Sequence, residues 1–231
     1  MTQSYAVPFK TYKKTMRLAI RQVLNEAPPR SLDEAAFPAY SHPNPLINWL
    51  FWKRLEDVTK VVAKNAPYEQ ILDFGCGSGV LLPYLAEQSR NVLGLDIELS
   101  PYEMMKKYIS FPANIQVMDG KQTSLQDLPP DSFDLIIALD VLEHVPDLSA
   151  TFDQLMRLLK PGKNLIISVP TENVLYQIGR KIAGQEFSGA YHERGAADVI
   201  KLAGQKGKFK SLSVLIPLFP FFHIFAIEKS H

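Results

Sequence analysis

The sequence predicts an α/β fold built on one largely parallel sheet, and three observations carry that reading. After Pro67, short apolar runs alternate with stretches of helical periodicity, the pattern of repeated βα units. The first of those runs passes directly into glycines at alternate positions, Gly75, Gly77 and Gly79, as a tight strand-to-helix turn requires. A chain of 231 residues is long enough for one well-buried core with additions rather than for two domains.

Each element follows in order. Residues 1–45 read as an N-terminal extension, placed as a lid: Lys10, Lys13, Lys14, Arg17 and Arg21 lie in a segment able to form a helix. Pro28, Pro29, Pro38, Pro43 and Pro45 then break any long helix. From Leu46 to Lys64 apolar residues recur at helical spacing (Leu46, Ile47, Leu50, Phe51, Leu55, Val58, Val62) and predict an amphipathic helix. Strands are predicted at Ile71 to Phe74, Val92 to Leu95, Ile115 to Met118, Phe133 to Leu139 and Leu165 to Val169. Helices are predicted at Val80 to Gln88, Pro101 to Ile109 and Leu148 to Lys160, the last stopping at Pro161-Gly162. Five apolar strands of this kind imply a sheet covered on both faces. An insertion at about 171–192 carries a basic amphipathic stretch, Asn173 to Ala183. A helix near Glu193 to Ala203 and a hairpin of two strands, Phe209 to Ile216 and Phe222 to Glu228, close the domain of residues 46–231.

Composition narrows the classes of function. Hydrophobic residues make up 46% and charged residues 21%, the balance of an ordinary globular protein. A formal net charge of +1 supplies no global attraction to nucleic acid, so no nucleic-acid partner is expected. Cys76 is the only cysteine, which rules out an intramolecular disulfide framework and a cysteine-rich zinc site. The start of the chain lacks an apolar run behind a basic stretch, so no secretory signal is predicted and a cytoplasmic setting is expected. The most apolar stretch, Val214 to Ile227, is short for a bilayer span and contains Pro217, Pro220 and His223. Paired strands are the better reading, with Phe219, Phe221 and Phe222 as the side chains for a peripheral membrane contact.

The strongest chemical signal is Ile71-Leu72-Asp73-Phe74-Gly75-Cys76-Gly77-Ser78-Gly79. Glycine here lets the backbone turn with positive φ and lets a ligand approach where a Cβ would intrude, and the next helix presents free N–H groups at its start. A dinucleotide fingerprint asks for a small residue where Val80 stands, and a P-loop asks for a Lys that does not follow Gly79. Asp96 closes the second strand, where a carboxylate accepts from ribose hydroxyls, and Asp119 with Gly120 closes the third. Neighbouring strands would bring all three tips to one crevice, where open α/β sheets bind ligands.

Together these segments resemble the class I S-adenosylmethionine (SAM)-dependent methyltransferases. The matching pieces are "ILDFGCGSG", "VLGLDIE", "VMDG", "DSFDLIIALDVLEHV" and "LKPGKNLIISVP", in the family's order, across roughly Tyr68 to Pro170. The resemblance implies a Rossmann-like seven-stranded sheet of order 3-2-1-4-5-7-6, strand 7 antiparallel, with helices on both faces. It implies that Asp73, Gly75, Cys76, Gly77 and Gly79 surround the methionine part of SAM. Asp96 and Ile97 would lie at the ribose, Asp119 and Gly120 at the adenine, and Asp140 and Val141 on the rim.

Asp140-Val141-Leu142-Glu143-His144-Val145 follows the fourth strand and is similar to the segment of quinone-biosynthesis methyltransferases. The expected activity is methyl transfer from SAM to a small-molecule acceptor at oxygen. His144 is the candidate general base for the acceptor hydroxyl, against the alternative of a histidine that only packs or caps. Asp140, Glu143 and His144 do not make a strong metal signature, and no metal is expected. Trp49, Tyr191 and His192 are the candidate acceptor-binding residues, Trp49 within an aromatic set with Tyr40, Phe51 and Trp52. The basic pair Arg180 and Lys181 suits an acidic acceptor or anionic lipid. A non-catalytic SAM-binding regulatory module and a nicotinamide-dependent oxidoreductase stand as alternatives.

Overall fold

The computed structural model of the protein describes residues 8–26, 37–170, 195–215 and 222–230. Its helices are α1 (Phe9–Glu26), α2 (Phe37–Ser41), α3 (Pro45–Lys64), α4 (Leu82–Gln88), α5 (Ser100–Met105), α6 (Leu148–Leu158) and α7 (Ala196–Lys206). Its strands are β1 (Tyr68–Phe74), β2 (Ser89–Asp96), β3 (Ile115–Asp119), β4 (Phe133–Leu139), β5 (Leu159–Pro170), β6 (Lys208–Leu215) and β7 (Phe222–Glu228). They form one seven-stranded sheet of order β3-β2-β1-β4-β5-β7-β6. β7 runs antiparallel to β5 and to β6, whereas β1–β2, β2–β3 and β4–β5 are parallel pairs. The chain divides into two compact units, residues 1–122 with α1–α5 and β1–β3, and residues 123–231 with β4–β7, α6 and α7.

In the first unit, β1 and β2 pair from Tyr68↔Ser89 to Phe74↔Leu95, and β2 pairs with β3 up to Asp96↔Asp119. This register sets the ends of the three strands level with one another. Ile71, Leu72, Val92, Leu93 and Leu95 are buried, as continuous apolar runs in a parallel sheet require. β2 starts at Ser89, ahead of its apolar run, because the ladder to β1 engages backbone groups whatever the side chains are. α5 is shorter than the predicted helix and ends at Met105, with turn bonds continuing to Ile109. Near the N-terminus, α1 buries Tyr12, Met16, Ala19, Ile20 and Val23 and packs on α2, α3 and α5. Those positions are three, four and seven apart, so one stripe of the helix faces inward. α3 begins at Pro45 under an Asn44 cap whose side chain accepts from Leu46 N at 2.9 Å.

In the second unit, β4 buries Phe133, Leu135, Ile136 and Ile137, and β5 buries Leu165, Ile166, Ile167 and Val169. α6 ends at Leu158, before the predicted Pro161-Gly162, because the chain turns into β5 at Leu159. The Lys229 ammonium holds that corner, donating to the carbonyls of Arg157 (3.3 Å) and Leu159 (2.7 Å) and pairing with Asp131. Phe222, counted above among side chains for membrane contact, is instead buried in β7. The register Pro170↔Phe222 seats its backbone in the sheet, where pairing outcompetes exposure of an apolar ring. α7 begins at Ala196, three residues after the predicted start. The insertion at 171–192, with Tyr191, His192, Arg180, Lys181 and the expected helix Asn173–Ala183, lies outside the described residues, as do Phe219 and Phe221. Among the described residues no helix is long and apolar enough to cross a membrane.

Gly207, between α7 and β6, has extended backbone, but a methyl group there would sit 2.6 Å from the Glu228 carbonyl oxygen and 2.7 Å from Ile227 Cγ2. Gly207→Ala is expected to lower stability by about 1–3 kcal/mol, the usual cost of overpacking against backbone, measured by urea denaturation.

Candidate active site

The turn after β1 is shaped by three left-handed glycines: Gly75 (φ 76°), Gly77 (φ 53°) and Gly79 (φ 72°). Gly77 and Gly79 have opposite surroundings. A methyl at Gly79 would lie 2.9 Å from Tyr102 Cδ2 and 3.2 Å from both Leu82 Cδ1 and Phe111 Cε1, so this glycine is packed into protein. A methyl at Gly77 would meet nothing within 4 Å, so this glycine faces open space.

Asp96 ties the loop to the neighbouring strand ends. Its Oδ2 accepts from Gly77 N at 2.7 Å, its Oδ1 from Glu98 N at 2.9 Å, and its backbone carbonyl from Gly120 N at 2.7 Å. Gly75 N donates to the Leu95 carbonyl at 2.8 Å, a second tie between the turn and β2. Each Asp96 oxygen keeps a lone pair for a further donor. Ile97 follows as a large apolar side chain that is 66% exposed. Asp119 accepts from Lys121 N at 2.8 Å and from Gln122 Nε2 at 3.3 Å.

Asp73 behaves differently. It is 3% exposed at the end of β1, and burial, then the charge of Asp96, pushes its carboxyl up from 3.8 to about 7. Cys76 turns its thiol inward, where burial, then Asp73 and Asp96, push its pKa well above the usual range. A methyl on Gly94 would lie 3.0 Å from that sulfur, so Gly94 on β2 makes room for Cys76. This dependence carried no motif and could be found from the sequence only as an isolated glycine inside an apolar strand.

The first unit therefore brings together Asp73, Gly75, Cys76, Gly77, Gly79, Asp96, Ile97, Asp119 and Gly120 at the ends of β1, β2 and β3. Trp49 of α3 is 44% exposed, while its neighbours Tyr40 and Trp52 are buried and packed on one another with ring centroids 5.1 Å apart. The Trp52 indole donates to the Tyr40 carbonyl at 3.0 Å, and Arg54 donates to the Tyr40 hydroxyl at 2.8 Å, so those two aromatics hold the helix pair.

In the second unit Asp140 follows β4 with φ 53°, an uncommon conformation for a residue with a Cβ. Its N–H donates to the Ser168 carbonyl at 2.9 Å, and its Oδ1 accepts from the Ser168 hydroxyl. Strain held in place at a strand tip points toward function. Val141 leads into a 3-10 turn, Leu142–His144, in which Leu142 and Glu143 are buried and His144 is exposed. Among the described residues no group of three His, Cys, Asp or Glu side chains is arranged to hold a metal ion.

Comparison with known proteins matches this arrangement to a family. Residues 13–213 match the model of a methyltransferase domain. Among curated relatives, the ubiquinone biosynthesis O-methyltransferase of Pseudomonas fluorescens (strain Pf0-1) is 27% identical over 170 residues, covering 73% of this chain and 68% of that protein. The protein of the same description from Colwellia psychrerythraea is 31% identical over 121 residues, covering 51% of this chain and 48% of its own. The matched stretch thus spans between about half and two thirds of these relatives' length. Among solved structures, the magnesium protoporphyrin IX methyltransferase ChlM of Synechocystis PCC 6803 with bound S-adenosylhomocysteine (SAH) has a TM-score of 0.60 at 20% identity, covering 96% of this chain and 97% of its own. The N-methyltransferase NodS of Bradyrhizobium japonicum WM9 has a TM-score of 0.59 at 16% identity, covering 82% and 99%.

Fold and site thus define a SAM-dependent methyltransferase. The chain belongs to the methyltransferase domain family. Its residues fit the cosubstrate: Gly77 leaves space where any side chain would project, and Asp73 is a buried carboxyl lacking the solvation that a cationic ligand would replace.

The two glycines should separate by experiment. Gly77→Ala is expected to cost about 1–2 kcal/mol of stability for its left-handed backbone and to weaken SAH binding at least about tenfold, the added methyl standing in the cleft. Gly79→Ala should cost more stability than Gly77→Ala, since strain and overpacking add. Denaturation and calorimetric titration check both.

An acid whose folded pKa lies above its unfolded value stabilises the fold only while protonated. The contribution of Asp73 is therefore full below about pH 4 and is lost as pH rises through about 7. The melting temperature of the wild type should fall relative to that of Asp73→Asn between pH 5 and pH 8, where the neutral amide has nothing to ionise. A difference that stays flat across a melting series would contradict the buried, protonated acid.

Proposed function

We propose that the protein transfers the methyl group of SAM to a hydroxyl of a small aromatic acceptor, with His144 taking the acceptor proton. The observation that carries the cosubstrate half is the open space at Gly77 beside the Asp96 clamp. Support for oxygen as the acceptor atom comes from the relatives described as ubiquinone biosynthesis O-methyltransferases.

SAM supplies an already activated methyl on a sulfonium, so alignment of the acceptor is the main demand on the protein. In this reading Asp73 carries its negative charge toward the cosubstrate's ammonium, and the loop of Gly75, Cys76, Gly77 and Gly79 lines its methionine part. Asp96 accepts from the ribose hydroxyls, with Ile97 beside them. Asp119 and Gly120 border the adenine, and Asp140 and Val141 form the rim. A phenolic hydroxyl, with a pKa near 10, lies within reach of an imidazole base in a way that an alkanol does not. His144 is exposed, as a base that meets a diffusing acceptor must be. Trp49, also exposed, offers a flat apolar face for an aromatic ring. Tyr191 and His192 complete the proposed acceptor-binding set. Residues 1–45 are proposed as the cover of this site, with residues 46–231 as the methyltransferase domain. We place the reaction in the cytoplasm, where the lone thiol of Cys76 remains reduced.

Incubation with methyl-labelled SAM and a panel of catechols, phenols, alkanols and amines tests the reading. Label is expected in an aryl methyl ether, with one SAH formed per methyl. His144→Gln should lower kcat by about 10²-fold or more while SAH affinity is unchanged. Label found in an amine, or a His144→Gln variant of full activity, would overturn the assignment.

A further inference from the structure

The outer face of α1 is chemically unlike that of its neighbour α3. Tyr12, Met16, Ala19, Ile20 and Val23 define the inner stripe of α1. At about 3.6 residues per turn, the opposite face carries Lys10, Lys14, Arg17, Leu18 and Arg21. All five are exposed, Leu18 to 54%. The four cations follow one another at spacings of four, three and four residues, so each stands over the next. From Phe9 to Asn25 the helix has no acidic residue. Lys13 is set apart from this row, its ammonium lying 5.4 Å from the centre of the Trp52 ring.

Like charges at these spacings weaken a helix about as much as opposite charges strengthen it. α3 avoids that cost by pairing: Lys53 meets Asp57, and Lys60 meets Glu56 at 2.9 Å. Among the described residues the four outer cations of α1 join no ion pair. The whole chain has a net charge of only +1, so the row is a local excess and not a share of a basic protein. An arrangement that costs the free helix stability calls for an anionic partner.

The row spans about 16 Å of one helix, a length suited to a plane of phosphates. Four or more Lys and Arg on an amphipathic helix are the footprint of an anionic bilayer surface. Leu18, set among the cations, adds an apolar side chain that can enter the headgroup layer, whereas the phosphate backbone of a nucleic acid offers it no partner. We propose that the outer face of α1 docks on a bilayer surface rich in anionic phospholipid, with Lys10, Lys14, Arg17 and Arg21 on the phosphates and Leu18 between the headgroups. The contact is peripheral, and it uses no residue of the strand ends that form the candidate active site.

Flotation of the full chain with vesicles tests the inference, comparing phosphatidylcholine alone with an equal mixture of phosphatidylcholine and phosphatidylglycerol. The protein is expected to float with the mixed vesicles only, and to be released as salt screens the attraction. Lys14→Gln/Arg17→Gln/Arg21→Gln should weaken partition about a hundredfold and melt at the same or a higher temperature, since repulsion along the helix is relieved. Leu18→Gln should weaken partition about fivefold while its salt dependence stays. Lys201→Gln/Lys208→Gln/Lys210→Gln, which removes the same charge from the other unit, should float as the wild type does. Failure to float with mixed vesicles, equal floating with both kinds, equal losses in the two triple variants, or wild-type partition of Leu18→Gln would overturn the proposal. Binding of a single-stranded RNA probe through the same three cations, with vesicles left unbound, would overturn it in favour of a nucleic-acid partner.

Discussion

One carboxylate, that of Asp96, organises the strand ends of the first unit. Asp96 accepts from the backbone of the glycine turn with one oxygen and from Glu98 with the other, while its own carbonyl accepts from Gly120. Three chain segments, each leaving a different strand, are thereby held in one arrangement without a side chain from any of the three glycine positions. Charge-assisted bonds to backbone N–H groups are among the stronger ones available to a loop, and they cost little side-chain entropy because aspartate is short. The level register of β1, β2 and β3 makes the clamp reachable: Asp73, Asp96 and Asp119 stand one per strand at or near its end.

The same geometry creates an electrostatic imbalance. The end of β1 is buried by the strands and helices around it, so burial pushes the Asp73 carboxyl up to about 7, and the charge of Asp96 close by adds to that effect. Cys76 shares the environment but faces inward, fitted over Gly94, and its raised pKa makes it an inert part of the packing.

The first helix changes how the N-terminal residues are understood. A basic, proline-interrupted segment reads as an appendage, yet α1 presents a continuous buried stripe to its neighbours and packs on α2, α3 and α5. Basic residues such as Lys10, Lys14, Arg17 and Arg21 occupy the exposed face of that helix. Charge therefore described the outer surface, and the stripe of Tyr12, Met16, Ala19, Ile20 and Val23 described the inner one.

Most strands of the sheet and the loops at the ends of β1, β2 and β3 were legible in the sequence, because strand periodicity, alternate glycines and strand-terminal aspartates are local signals that chain neighbours carry. The order β3-β2-β1-β4-β5-β7-β6 was legible only through resemblance, since no local pattern encodes which strands pair. The extent of β2, the early end of α6 under Lys229 and the burial of Phe222 were decided by backbone pairing and capping across long sequence separations. The raised pKa of Asp73, the contrast between Gly77 and Gly79 and the hydroxyl of Tyr12, unpartnered among the described residues, are likewise properties of the folded chain. Solvation and steric room depend on atoms brought close in space, and residues distant in the chain supply most of them.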